Sequence, residues 1–261
     1  MTKNLIVEIN QDIGEKSDKI QSVLSEKNFC IIRGAIDPKI VKNGIKKVKK
    51  YIEKNDDNPV TGESPSAVRD YFMKLSLGEA RHSGKKIDKK FNIVRPRFKR
   101  VIYSPLFKQD IFKLDEVFIR FAKIRNFLMG VDPEYALRED KTNKMWTASR
   151  IHQFPSGGGF MSSHVDTVLP SIIKKDSIGK GFFQPILIMS QKGKDFESGG
   201  GFAKIDGKNV IYEDFTEIGD IAIYNSFTEH GCFDIDTHKP FFQRSGNGRF
   251  SGLCTLYKIL N

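Results

Sequence analysis

The apolar positions of this chain follow two different rhythms. In the first half they recur every three or four residues, the period of helices that bury one face. Ile20, Val23 and Leu24 mark such a face between Glu15 and Lys27, and Phe29-Cys30-Ile31-Ile32-Arg33-Gly34 then reads as a short buried strand. Asp37-Pro38 offers an N-cap followed by proline at the first helical position. The helix it opens lines up Ile40, Val41, Ile45, Val48 and Ile52, and fades at Asn55. Asn55 to Ser66 is rich in Asn, Asp, Pro, Gly and Ser and predicts a loop. Val68 to Leu77 predicts a short helix, and His82-Ser83-Gly84-Lys85-Lys86 a mobile turn. The clearest helix runs from about Gln109 to Met129, with Leu114, Val117, Phe118, Phe121, Ile124 and Leu128 on its apolar side and Gly130 as its stop. It is expected to back a sheet.

After Glu134 to Asn143 the pattern turns extended. Met145 to Phe154, Gln184 to Ser190, Gly201 to Ile205, Lys208 to Tyr212, Asp220 to Asn225 and Phe250 to Leu256 all predict strands, with Asp206-Gly207 as a hairpin turn. Helices first and short strands afterwards predict an α+β, mainly β protein: a helical layer against a jelly roll or related sandwich. The division expected is one domain over residues 1–261, with a mostly helical part at 1–143 and the jelly-roll core at 144–258.

Composition narrows this only a little. With 39% hydrophobic and 29% charged residues, the chain reads as an ordinary globular protein. It has no run of eighteen apolar residues, and its N-terminus meets acid too soon for a secretory leader, so a cytoplasmic protein without a membrane span is expected. The net charge of +11 suits anionic small molecules or nucleic acid. Much of it is dispersed lysine, however, such as Lys39, Lys42, Lys46, Lys47, Lys49 and Lys50 on one predicted helix, which reads first as a solvated face. Arg95-Pro96-Arg97-Phe98-Lys99-Arg100 is a local basic cluster, either an exposed connection or a lid that meets an anionic group of a substrate. Cys30, Cys232 and Cys254 have no metal or disulfide spacing, although Cys232 follows His230 by two positions.

The chemistry-bearing stretch is Ser149 to Asp166, which ends in His164-Val165-Asp166. On an extended strand, residues two apart share a face, so His164 and Asp166 are placed to bind one metal ion. His230, in Thr-Glu-His-Gly, supplies a third ligand. Two imidazoles and one carboxylate on one face of an octahedron suit non-haem Fe(II) and leave three positions open. Singly, each histidine reads better as a hydrogen-bonded core residue, and Asp166 as a turn cap before Thr167. On the strand before them, either Arg150, His152 and Phe154 face inward, or Ser149, Ile151 and Gln153 do. The glycines at 157 to 159 lack the lysine and helix of a phosphate loop and read as a strand connection.

Taken in order, these pieces resemble the Fe(II)- and 2-oxoglutarate-dependent dioxygenases, whose core is a double-stranded β-helix (jelly roll, cupin-like), here backed by N-terminal helices. The resemblance spans about Thr147 to Leu256. It rests on Phe154-Pro155 before the three glycines, His164-Val165-Asp166, Pro185 to Ser190 before Gly199-Gly200-Gly201-Phe202, Gly219 to Tyr224 leading to His230-Gly231, and Arg249-Phe250-Ser251. It implies Fe(II) held by His164, Asp166 and His230. It also implies 2-oxoglutarate as co-substrate, with its far carboxylate on Arg249 and Ser251, and O2 as oxidant. An intact Asp166 favours hydroxylation or another oxidation over halogenation. Arg249 lies nineteen positions after His230, a longer interval than in many members of the family. Arg244 is therefore a competing anchor, with Arg249 preferred because it opens a β-patterned run. Arg150 and His152 are further pocket candidates. The reaction implied is hydroxylation of a small polar metabolite such as an amino acid, anionic or zwitterionic, with release of succinate and CO2. Against it stand a nucleic-acid or protein demethylase or hydroxylase of the same superfamily, and a non-catalytic β-sandwich that binds a ligand. No stacking platform for single-stranded nucleic acid is visible. Oligomeric state is not legible in the sequence.

Overall fold

The computed structural model describes residues 2–9, 13–58, 70–77, 79–81, 94–140 and 144–258. Most of the predicted 55–66 loop and all of the 82–86 turn lie outside that set. Among the described residues there are four α-helices: α1 (Ser17–Lys27), α2 (Pro38–Lys54), α3 (Asp115–Met129) and α4 (Val168–Lys175). The strands that precede the predicted core are β1 (Ile6–Glu8), β2 (Phe29–Arg33), β3 (Phe72–Ser76), β4 (Glu79–Arg81), β5 (Val94–Tyr103) and β6 (Glu139–Asp140). Those within it are β7 (Met145–Pro155), β8 (Gly159–His164), β9 (Phe183–Ile188), β10 (Gly200–Ile205), β11 (Lys208–Ile211), β12 (Ile221–Asn225), β13 (His230–Ile235) and β14 (Gly248–Lys258).

Local signals account for several boundaries. The Asp37 side chain accepts from the Lys39 N–H at 2.7 Å, and Pro38 opens α2. On that helix Val41, Ile45, Val48 and Ile52 are buried while Lys39, Lys42, Lys46, Lys47 and Lys50 stay in solvent. Lys49 is half-buried, with its ammonium over the Phe250 ring. Helix α3 begins at Asp115 rather than near Gln109, because the Asp110 carboxylate accepts from the N–H groups of Phe112, Leu114 and Asp115 and holds that stretch as a capping loop. Asp206 and Gly207 both have positive φ, as a tight two-residue hairpin requires, and they join β10 to β11.

Two expectations are corrected. The described part of the helix predicted over Val68 to Leu77 is strand β3, antiparallel to β5. Residues 1–143 are also mixed rather than mostly helical, since they contribute β1 to β6. Propensity was overruled there by long-range pairing, which carries no local sequence signature.

The strands pair in the order β1-β2-β12-β9-β14-β7-β5-β8-β13-β10-β11, with β3, β4 and β6 beside that path. They make two facing layers. In the first, alternate residues such as Ile32, Ile102, Ile151, Leu187, Ile223, Phe250 and Cys254 face outward and pack under α1, α2 and α3. The intervening residues face the second layer, where Phe29, Ile31, Ile186, Ile188, Ala222 and Tyr224 meet Ala203, Ile205 and Tyr212. This is the predicted jelly-roll core backed by helices. Strand β5 belongs to both layers: residues 100–103 pair with β7, and Arg97 and Phe98 pair with β8. Arg100, fully buried, ties this corner to Asp57 and to the Gln243 carbonyl.

Phe118 is fully buried where α3 crosses β14, with its ring against Gly252. We expect Phe118→Ala to lower unfolding free energy by about 3–5 kcal/mol in urea titrations. A loss below roughly 1 kcal/mol would mean that the helical layer is not packed on the sheet as described.

Candidate metal centre

Strand β8 ends at His164, and β13 begins at His230 directly opposite it. Asp166 lies just beyond the strand, before α4. Strand alternation therefore accounts for only half of the His-x-Asp geometry, and the turn after His164 supplies the rest. One ligand atom from each of His164, Asp166 and His230 lies within 4.8 Å of the others. His230 Nε2 is 3.7 Å from Asp166 Oδ2, and the two imidazole centroids are 4.2 Å apart.

The proton positions favour a metal. His164 Nδ1 is 2.8 Å from the Ser162 carbonyl and His230 Nδ1 is 2.9 Å from the Thr228 carbonyl. A carbonyl only accepts, so each ring donates from Nδ1 and keeps its Nε2 lone pair for a ligand bond. Tyr224 stacks on His230 at 4.0 Å between centroids and fixes the ring plane. The donor set, two neutral imidazoles and a carboxylate, fits Fe(II).

Deeper in the barrel is a second constellation. Arg249 and Ser251 alternate onto the inner face of β14, with Arg249 opposite Phe154 and Ser251 opposite His152 on β7. The guanidinium donates to Ser251 Oγ at 3.3 Å and to the Tyr212 hydroxyl at 3.0 Å, while its Nε donates to Glu213. It also lies 5.0 Å over the Phe154 ring. Gly201 makes this possible: a Cβ there would sit 2.1 Å from the Tyr212 hydroxyl and 2.6 Å from Arg249 Nη2. Burial works against the Arg249 charge, but Glu213 and Tyr212 outweigh it and its pKa is raised. Burial raises the Glu213 pKa above the usual carboxylate range, and contact with Arg249 offsets that only in part. The arrangement, a permanent cation framed by two hydroxyls, is a carboxylate-binding geometry.

The remaining candidates separate cleanly. Arg244 is on the surface, paired with Asp56, and faces no part of the barrel interior. The chain before it is pinned by Asp236, whose buried carboxylate accepts from the N–H groups of Glu197 and Ser198 and from Ser156 Oγ. That anchored excursion explains the long interval between His230 and Arg249. Arg150, His152 and Phe154 take the inward register, whereas Ser149 bonds to Ser104 and Ile151 packs in the helical layer. Arg150 is half-buried and donates to Tyr257 and Thr255. His152 is buried, and its pKa lies well below the ordinary value, because of burial first and then Lys99, Arg150, Arg97 and Arg249. Cys232 is buried in the same interior, and burial pushes its thiol up to about 12. The N–H groups of Gly157 and Gly158 donate to the carbonyls of Asp236 and Ile235, as befits a strand connection. Sequence reasoning missed Tyr212 and Glu213, which follow β11 in a short 3-10 turn and form no recognisable motif. Lys99 it named only within the basic cluster of residues 95–100, as an exposed connection or a lid, whereas the structure buries it.

No protein-family profile matches this sequence, and no curated protein matches it in sequence. In three dimensions it is similar to several solved structures. A prolyl-4-hydroxylase from Pseudomonas putida superposes with a TM-score of 0.52, over 94% of this chain and 100% of its own, at 11% identity. A Neurospora crassa protein, solved in complex with alpha-KG, gives 0.53 over 97% and 84% at 12% identity. JOX2, in complex with 2OG, Fe and JA, gives 0.54 over 97% and 74% at 10% identity. At these identities the likeness is one of fold.

Two measurements check the site. Fe(II) should bind one-to-one in anaerobic calorimetry, and Asp166→Ala or His230→Ala should each weaken it by more than about 100-fold; unchanged affinity would remove the metal reading. Since the His152 pKa is depressed in the folded state, its contribution is fully present above about 6.5 and is lost as pH falls, because the unfolded chain takes up a proton the folded one refuses. His152→Gln should therefore lose less stability than the parent between neutral pH and mildly acidic pH, measured by denaturant titration at each.

Proposed function

We propose that this chain is an Fe(II)- and 2-oxoglutarate-dependent oxygenase that hydroxylates a small polar substrate, anionic or zwitterionic. The observation that carries the reading is the meeting, in one barrel, of a two-imidazole, one-carboxylate ligand set with a buried guanidinium framed by Ser251 and Tyr212. A dicarboxylate 2-oxo acid matches both ends: its oxo-acid end suits a metal with open positions, and its far carboxylate suits the guanidinium. Structures of the same fold, solved in complex with alpha-KG or with 2OG and Fe, support the assignment.

In this reading His164, Asp166 and His230 would hold the iron. Arg249, Ser251 and Tyr212 orient the co-substrate from the opposite end. Phe154 and Cys232, both buried, help to keep bulk water from the interior. When bound, iron with 2-oxoglutarate and O2 supplies an oxidant strong enough for an unactivated C–H bond, with succinate and CO2 as by-products. The protein residues bind, orient and exclude water, and none is needed as a separate acid or base. An anionic or zwitterionic substrate is favoured by Arg97 and Arg150, which share the inward parity of β5 and β7.

Iron-loaded protein supplied with 2-oxoglutarate and O2 should release succinate slowly even without substrate. Arg249→Ala should raise the KM for 2-oxoglutarate by about 10-fold or more. If iron and 2-oxoglutarate both bind but no succinate forms with any polar substrate tried, the chain is a ligand-binding barrel and the enzymatic reading falls.

A further inference from the structure

The charge around Arg249 is already balanced. Glu213 touches its Nε edge in a fully buried ion pair, so the pair contributes little net charge to the interior. A carboxylate seated on the Nη edge, between Ser251 and Tyr212, brings one more negative charge into an enclosed space. Burying it there needs a further cation nearby.

Strand β5 brings that cation inside. Lys99 is 4% exposed and shares the parity of Arg97 and Val101. Val101 lies opposite His152 on β7, and His152 lies opposite Ser251 on β14, so Lys99, His152, Ser251 and Arg249 share one inner surface.

The Lys99 ammonium lies 3.3 Å from His152 Nδ1. An ammonium only donates, so Nδ1 is the accepting nitrogen and the ring proton sits on Nε2. His152 is 6% exposed, and its Nε2 is buried with no hydrogen-bond partner among the described residues. A buried donor without an acceptor is costly. One that stands among Lys99, Arg97, Arg150 and Arg249 is suited to an anionic acceptor.

We propose that Lys99 and the His152 Nε2–H bind the distal carboxylate of the co-substrate together with Arg249, Ser251 and Tyr212. Glu213 acts as a positioning residue: it holds the Nε edge of Arg249, turns the Nη edge to the ligand, and leaves Lys99 to balance the ligand's charge. The inference rests on the 2-oxoglutarate reading above and extends its binding site to a strand outside the predicted core.

The test is anaerobic calorimetry on Fe(II)-loaded protein with two ligands: 2-oxoglutarate, and 2-oxopentanoate, which has the same carbon chain without the distal carboxylate. Lys99→Met should weaken 2-oxoglutarate binding by about 10- to 100-fold, the usual effect of losing a hydrogen bond to a charged group. It should leave 2-oxopentanoate and Fe(II) affinity unchanged. Equal weakening of both ligands would mean a structural role for Lys99 and would overturn the proposal, as would no change in either. Lys99→Gln, neutral but polar, serves for the same comparison if the Met variant does not fold. If the parent binds neither ligand, the 2-oxoglutarate reading itself has failed.

Discussion

A guanidinium that cannot lose its proton lies enclosed between two β-sheets, and much of the interior is arranged around that charge. Arg249 has Glu213 on one edge, hydroxyls of Ser251 and Tyr212 on the other, and the Phe154 ring beneath it. These partners come from three segments: Ser251 from β14 itself, Tyr212 and Glu213 from the turn after β11, and Phe154 from β7. The sheets can close over it only because β10 presents no side chain at Gly201. Isolated burial of such a charge would cost far more than a domain's net stability. The ion pair and its hydroxyls are therefore conditions of the fold as much as parts of a site.

The metal ligands obey a more local logic. Each imidazole is oriented by the carbonyl two residues before it, Ser162 for His164 and Thr228 for His230. The tautomer that frees Nε2 is thus fixed by the backbone on either side of the same hydrogen-bonded register, before any ion arrives. Asp166 completes the set from outside the strand, with an exposure that leaves it open to solvent and to an incoming metal.

Local features of the sequence were readable in proportion to how local their causes are. The Asp37-Pro38 start of α2, the Asp206-Gly207 hairpin and the shared face of Arg249 and Ser251 on β14 follow from a few neighbouring residues. The inward register of β7, by contrast, stayed open until its pairing with β14 and β5 was seen. The choice between Arg249 and Arg244 was harder to read, because the excursion between them is shaped by Asp236 binding the backbone of residues 197 and 198. Lys99 was legible only as one member of a basic cluster that read as an exposed connection or a lid, and Glu213, after a short strand, belongs to no motif at all. Only the pairing of β5 with both sheets, and the approach of the turn after β11 to β14, turn either residue inward.

That double pairing of β5 bears on what the smallest self-sufficient piece of this protein is. The symmetric-looking set of strands after residue 144 invites the view that it is a module to which the earlier chain was added. Yet removing the earlier chain would strip β7 and β8 of their shared neighbour and leave two raw strand edges at the corner where the layers join, an invitation to intermolecular pairing. Arg100, which clamps that corner to Asp57, would go with it. The barrel is therefore not a detachable cassette. Its seam is sewn with thread from the opposite end of the chain.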